Sequence, residues 1–140
     1  AGAAAAIDFY KRAFGATEVR RLLMPGASKV MHAELSLLGQ TLFLADDCGP
    51  EFGMPASHPK ALGGSPVTIH LHVPDVDAVV ARALAAGAQV IMPVADMFWG
   101  DRYGKVADPF GHLWSVATTL RAMTDAEMQD AAKQAFAKPG

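Results

Sequence analysis

The stretch GQTLFLAD at residues 39–46 returns in pattern as GHLWSVAT at residues 111–118, which lies 72 residues further along the chain. In both copies a glycine precedes a run rich in apolar residues, which is typical of a turn that leads into a strand. The Gly-Ala pairs at 15–16 and 87–88 are separated by the same 72 residues, and each closes an alanine-rich amphipathic stretch. Two landmarks with one offset predict a duplicated unit of a helix followed by strands, and such copies usually build a shared site.

Periodicity predicts the elements of each unit. Ile7, Tyr10 and Phe14 share one face of a helix over 3–14, and Gly15 suits its C-terminal cap. A second helix follows Pro74-Asp75 and ends at Gly87. Alternation of apolar and polar residues predicts strands at 30–37 and 67–73. Further strands are predicted at 17–23, 41–45 and about 89–95, 102–107 and 113–119. The predicted fold class is therefore α+β, with two βαβββ modules.

The chain is predicted to be one domain, residues 1–140, with four parts: module 1 at 1–46, a linker at 47–66, module 2 at 67–119 and a tail at 120–140. The 72-residue offset places the first strand of module 1 before residue 1. We expect that this strand is missing from the sequence; a true variant with an open sheet edge is the alternative. In the tail, Thr124-Asp125-Ala126-Glu127 is typical of a capping box and predicts a short C-terminal helix.

Composition excludes several classes of protein. The chain is 51% hydrophobic, but no run approaches the ~18 apolar residues of a membrane span. The net charge of −2 gives no reason to expect nucleic acid or an anionic membrane as a partner. No basic segment of a signal peptide is seen at the start. Cys48 is the single cysteine, so no internal disulfide forms, and a cytoplasmic location is expected.

Longer motifs resemble those of a known family. They are AIDFYKRAFGA at 6–16, MHAEL at 31–35, VPDVDA at 73–78, MFWGDRYG at 97–104 and DPFGH at 108–112. With two linked βαβββ modules, these motifs resemble the vicinal oxygen chelate superfamily of glyoxalase I, extradiol dioxygenases and bleomycin-resistance proteins. Within it they look like the PhnB-like branch.

The resemblance implies a curved mixed sheet around a cup, and a protein that forms homodimers. Enzymes of the family hold a divalent ion in the cup with His and Glu side chains, and the ion polarises two neighbouring oxygens of the substrate. Alignment on the motifs places three of the usual ligand positions at Phe43, Thr68 and Ser115, and the fourth in the missing strand. Hydroxyl and phenyl groups are poor ligands for Zn²⁺ or Ni²⁺, so we expect no metal and no cofactor.

Other histidines are alternative ligands. His70 and His72 alternate onto one strand face with Thr68, although two histidines fall short of the usual three protein ligands. His32 and Glu34 also share a face, where they are interpreted as metal ligands, as polar groups that line a pocket, or as surface residues.

The MFWGDRYG segment packs three aromatic residues and an Asp-Arg pair into one stretch, as small-molecule cavities often do. The alternative is that Phe98 and Trp99 close one mouth of the cup while Asp101 and Arg102 pair at a turn. Trp114 is predicted to lie in the core, and Asp108 to bind backbone amides. The predicted cavity residues are His32, Phe43, Thr68, His70, Phe98, Trp99, Tyr103 and Ser115.

Three functions are compatible with these features. The favoured hypothesis is a metal-free homodimer that binds a small hydrophobic or amphiphilic molecule. The second is a lyase, isomerase or dioxygenase that holds Zn, Ni, Mn or Fe with relocated ligands such as His32, Glu34 or His70. The third is acid–base chemistry without a metal, by His32 or Asp101. No nucleophile motif and no glycine-rich loop for S-adenosylmethionine is seen, so a methyltransferase is not expected and no catalytic residue is assigned.

Overall fold

The computed structural model describes residues 2–139. Outside residues 47–66 its helices and strands follow the predicted order, and within that predicted linker the structure adds a short helix and a 3₁₀ turn. The elements are α1 (Ala3–Phe14), β1 (Thr17–Leu23), β2 (Val30–Leu37), β3 (Gln40–Leu44), α2 (Pro59–Leu62), β4 (Thr68–His72), α3 (Val76–Ala86), β5 (Gln89–Asp96), β6 (Asp101–Ala107), β7 (Leu113–Thr119) and α4 (Asp125–Ala135), with a single 3₁₀ turn at Gly49–Phe52. No helix among residues 2–139 is both long enough and apolar enough to cross a membrane.

Two sheets carry the repeat. The first has the order β1-β2-β3 and is antiparallel throughout. The second has the order β4-β7-β6-β5, in which β5, β6 and β7 are antiparallel and β4 joins the edge of β7 in parallel. The prediction of an α+β fold with repeated modules and a C-terminal helix is confirmed. In the described part of the chain β3 lies at a sheet edge, whereas its counterpart β7 is covered by β4.

The helices begin and end where the sequence allows. Gly15 and Gly87 follow α1 and α3 with positive φ angles of 69° and 118°, which a residue with a Cβ adopts only with strain. Asp75 caps α3 by accepting a hydrogen bond from the backbone N–H of Ala78. Asp46 performs a similar role for α1 from outside the helix, since its carboxylate accepts from the N–H of Ala3 at 2.7 Å.

The two modules meet through their helices. α1 packs against α3, and the aromatic side chains of α1 extend across to the second sheet. Trp114 of β7 is 1% exposed and lies 5.2 Å from the ring of Tyr10 and 4.7 Å from that of Phe14. The predicted core position of Trp114 is therefore confirmed, and one core holds both modules together.

Asp108 is a polar centre within this core. It is 5% exposed, and its Oδ2 accepts hydrogen bonds from the Tyr10 hydroxyl at 2.6 Å and from Trp114 Nε1 at 3.0 Å. Its Oδ1 accepts from the backbone N–H groups of Phe110 and His112. The prediction that Asp108 binds backbone amides is confirmed, and the bond to Tyr10 connects helix α1 of module 1 to module 2.

Tyr10 should resist ionisation in the folded protein. Burial, and then the neighbouring Asp108 carboxylate, raise the pKa of Tyr10 far above its usual value. The neutral phenol is thus favoured by folding, and this stability is complete below pH ~10, where an unfolded tyrosine ionises, and is lost as the pH rises further. In Tyr103→Phe, which leaves Tyr10 as the only tyrosine, we expect absorbance at 295 nm to rise only together with loss of the circular dichroism signal. A rise near pH 10 in a protein that stays folded would contradict the buried hydrogen bond.

Candidate functional site

Each sheet has one face against the helices and one face turned away from them. We call these outer faces the first open face (Arg20, His32, Glu34 and Phe43) and the second open face (Thr68, His70, Tyr103 and Ser115). The assignment follows from register, because directly paired residues point to the same face and successive residues to opposite faces. Glu34 pairs with Arg20 and Phe43, and Ser115 pairs with His70.

The first open face combines charge with an aromatic ring. His32 Nε2 lies 3.2 Å from Glu34 Oε1, and Arg20 approaches the same oxygen to 3.8 Å. The His32 ring meets the Phe43 ring edge-on at 4.9 Å. Phe43 is 63% exposed, so this face presents a large apolar surface that the described chain leaves uncovered.

The second open face is built around Ser115. Its hydroxyl and His70 Nδ1 are joined by a hydrogen bond of 2.8 Å. The His70 ring is nearly parallel to that of Tyr103, at 14° and a centroid distance of 6.4 Å. Ser115 is 4% exposed although it points away from the helices, since its neighbours in the sheet flank it. Thr68 lies beside Leu113, two residues along from this pair.

The turn between β5 and β6, Met97–Gly100, extends this surface; we call it the aromatic turn. Trp99 meets Tyr103 edge-on at 5.5 Å and donates from Nε1 to Asp101 Oδ2 at 3.2 Å. Phe98 packs edge-on against Trp99 at 5.0 Å. The aromatic rings from Phe98 to Tyr103 therefore form a continuous row that leads to His70.

Arg102 does not pair with Asp101, in contrast to the alternative considered from the sequence. Its guanidinium binds Asp77 of α3 through two nitrogens at 2.7 and 3.0 Å, and Asp96 at 2.9 Å. The hydrogen bonds to Asp77, and then the one to Asp96, raise the pKa of Arg102, and the contact with Arg102 lowers the pKa of Asp77. Arg102 therefore ties β6 to α3, and Asp101 serves Trp99.

The side chains at the three positions that the resemblance aligns with metal ligands do not fit a divalent metal. Phe43 lies on the first open face and offers no donor atom, while Thr68 and Ser115 lie on the second. The Ser115 hydroxyl already binds His70. Among residues 2–139 no three His, Cys, Asp or Glu side chains are grouped as metal ligands. Within one chain, Phe43 therefore lies on a different sheet face from Thr68 and Ser115, and the three do not surround a common site as predicted.

A cavity of the described chain lies elsewhere. Its volume is about 380 Å³, and it is bounded by the start of α1, the end of β3, α2 and the β6–β7 turn, with Tyr10, Asp46 and His112 among its lining residues. None of the eight predicted cavity residues lines it. In module 2 the corresponding edge of β7 is covered by β4, so we interpret this cavity as part of the uncovered β3 edge and not as the cup.

Two site features were missed by the sequence reasoning. The His70–Ser115 hydrogen bond depends on the parallel register of β4 and β7, and Arg20 reaches Glu34 from a third strand. The alternation of Thr68, His70 and His72 indicated that the three side chains share a face, but only the register shows that His70 is the one beside Ser115. No pattern within β1 marked Arg20.

Comparison with known proteins identifies the family of this chain. Residues 2–116 match the Glyoxalase/Bleomycin resistance protein/Dioxygenase superfamily. The chain is 50% identical over 129 residues to protein Mb0911c of Mycobacterium bovis, a match that covers 92% of this chain and 84% of that relative.

Two solved structures are similar in fold and sequence. The Arabidopsis thaliana gene product At5g48480 is 36% identical with a TM-score of 0.63, over 81% of this chain and 86% of the other. TioX of Micromonospora sp. ML1 is 31% identical with a TM-score of 0.61, over 88% and 92%. The family model matches most of this chain, and the structure contains the paired modules. The chain therefore belongs to the glyoxalase/bleomycin resistance/dioxygenase superfamily.

Proposed function

We propose that this chain is a PhnB-like, metal-free protein that binds a small hydrophobic or amphiphilic molecule as a homodimer. The observation that supports it is the row of side chains on the second open face, from Trp99 through Tyr103 and His70 to Ser115. Aromatic faces beside a few polar groups are typical of small-molecule sites. Neutral hydroxyls and a phenyl ring occupy the positions that the motif alignment assigns to the metal ligands of the family.

The geometry favours a ligand with a planar apolar ring and a hydrogen-bonding group. Tyr103 and His70 offer nearly parallel ring faces, and Trp99 stands edge-on beside them. The hydrogen-bonding group of the ligand would meet His70, which its hydrogen bond to Ser115 orients, at the end of the row. An apolar ring gains affinity by leaving water, and a polar group fixes its orientation.

The direction of the open faces supports the proposed homodimer. Both sheets of one chain turn their inner faces towards α1 and α3, so the two open faces point away from the helices that join the modules. In our proposal the first open face of one copy lies opposite the second open face of another. Such a pairing would cover Phe43 and bring His32 and Glu34 to the ligand.

Native mass spectrometry of the purified protein tests the proposal in one measurement. We expect a species of twice 14.7 kDa, with an organic adduct and without stoichiometric metal. One Zn, Ni, Mn or Fe per chain that is lost in His32→Ala or His70→Ala would overturn the metal-free function. It would support a lyase, isomerase or dioxygenase of the same superfamily with relocated ligands.

Trp99→Ala should weaken binding of the adduct, once identified, by about tenfold, because an edge-on aromatic wall contributes roughly 0.5–1.5 kcal/mol beyond its buried area. Isothermal titration calorimetry measures the change. Phe52→Ala is the matched control, since Phe52 is an exposed aromatic residue of the linker. This variant should bind the adduct with the affinity of the wild type. Equal affinity of Trp99→Ala and the wild type would remove the aromatic turn from the site.

A further inference from the structure

Helix α4 lies outside both modules and outside the residues 2–116 that match the superfamily. None of its side chains is buried. It nevertheless carries an apolar stripe at helical spacing, formed by Met128, Ala131, Ala132, Ala135 and the adjoining Phe136. Thr124 caps it by accepting a hydrogen bond from the N–H of Glu127. Since this amphipathic helix contributes no buried residue to the core, its role lies in its other contacts.

The chain that leads to α4 is fastened to the aromatic turn. The backbone N–H groups of Leu120 and Arg121 both donate to the carbonyl oxygen of Gly100, at 2.8 and 3.1 Å. A Cβ at Gly100 would stand 2.6 Å from the Arg121 carbonyl oxygen, and its φ of 95° favours glycine. Gly100 thus permits the close approach of two backbones, and the start of the tail is held at a fixed point.

The far end of α4 returns to the same turn. The Phe136 ring meets the Phe98 ring edge-on at 5.8 Å. From Phe98 the aromatic row continues through Trp99 and Tyr103 to His70 on the second open face. Phe136 is still 77% exposed, so this docking contact covers little of its surface and is readily broken.

We propose that α4 is a hinged lid on the ligand site, and that Phe136 is a positioning residue that holds Trp99 against Tyr103 through Phe98. This inference rests on the proposed binding function. Leu120 and Arg121 fix the tail at Gly100, and Phe136 docks the far end of α4 on Phe98, so α4 swings about the residues that follow Arg121. When α4 is docked, it stabilises the aromatic row beside a bound molecule. When α4 is undocked, it releases Trp99 and lets the molecule leave.

A ligand-free measurement tests the lid directly. Acrylamide quenches exposed tryptophans, and Trp114 is 1% exposed, so quenching of the folded protein reports on Trp99. In Phe136→Ala we expect the quenching constant to rise about twofold, because the loss of a weak aromatic contact frees the turn. Phe136→Tyr, which keeps the ring, should restore the wild-type value. The urea midpoint should be the same in all three, since α4 is outside the core.

The second measurement uses 8-anilinonaphthalene-1-sulfonate, an amphiphile with planar rings. Stopped-flow fluorescence should show it leaving Phe136→Ala about fivefold faster than the wild type, with Phe136→Tyr restored and Phe52→Ala unchanged. If the dye binds, Trp99→Ala weakens it, and Phe136→Ala changes neither quenching nor dissociation, the lid is wrong while the binding function stands. If no dye binds but quenching still rises in Phe136→Ala, the contact positions Trp99 and the binding function fails.

Discussion

Replacement of Asp108 by alanine should lower the free energy of unfolding by about 3–5 kcal/mol. Its carboxylate is the shared acceptor for the Tyr10 hydroxyl and Trp114 Nε1, both of which are buried. Without it these donors lose their partner inside an apolar core, and each such loss costs about 1–3 kcal/mol. The bend at Phe110 and His112 loses two backbone hydrogen bonds as well.

Urea unfolding followed by circular dichroism measures this effect. Tyr10→Phe is the graded control, because it removes one donor and leaves the acceptor with its other three partners; we expect a loss of about 1–2 kcal/mol. A change below ~0.5 kcal/mol in Asp108→Ala would show that the connection between α1 and module 2 has no role in stability.

Trp114→Ala should be comparably damaging, with an expected loss of about 3–5 kcal/mol. The indole is 1% exposed and fills the space where β7 meets α1, in contact with Tyr10 and Phe14. Alanine would leave a cavity and would also remove one of the donors to Asp108. Since Trp114 joins the two modules, we expect a lower urea midpoint and not a local opening.

The second tryptophan is the matched comparison. Trp99→Ala changes the same residue type at a half-exposed turn, so its free energy of unfolding should fall by at most ~1 kcal/mol while ligand binding weakens. Trp114→Ala should show the opposite: a large loss in the free energy of unfolding and no specific loss of ligand binding. Equal stability losses in the two variants would contradict the separation of a core tryptophan from a binding tryptophan.

Sequence patterns predict one part of the candidate site and not another. Alternation along β7 correctly separated Trp114 from Ser115, because neighbouring residues of a strand must point to opposite faces. Placing Phe43, Thr68 and Ser115 in one hollow required more than alternation. Periodicity says which face a residue occupies on its own sheet, but carries no information on how two sheets are oriented. In this chain the helices lie between the two sets.

The sequence by itself determined the elements, the repeat and the family, because turns, caps and strand alternation are local properties that nearby residues decide. Only the tertiary structure decided that His70 reaches Ser115, that Asp108 joins Tyr10 to Trp114, and that Phe136 returns to Phe98. Each of these contacts joins residues from separate elements. Strand register and helix packing bring them together, and both depend on how the whole chain buries its apolar surface.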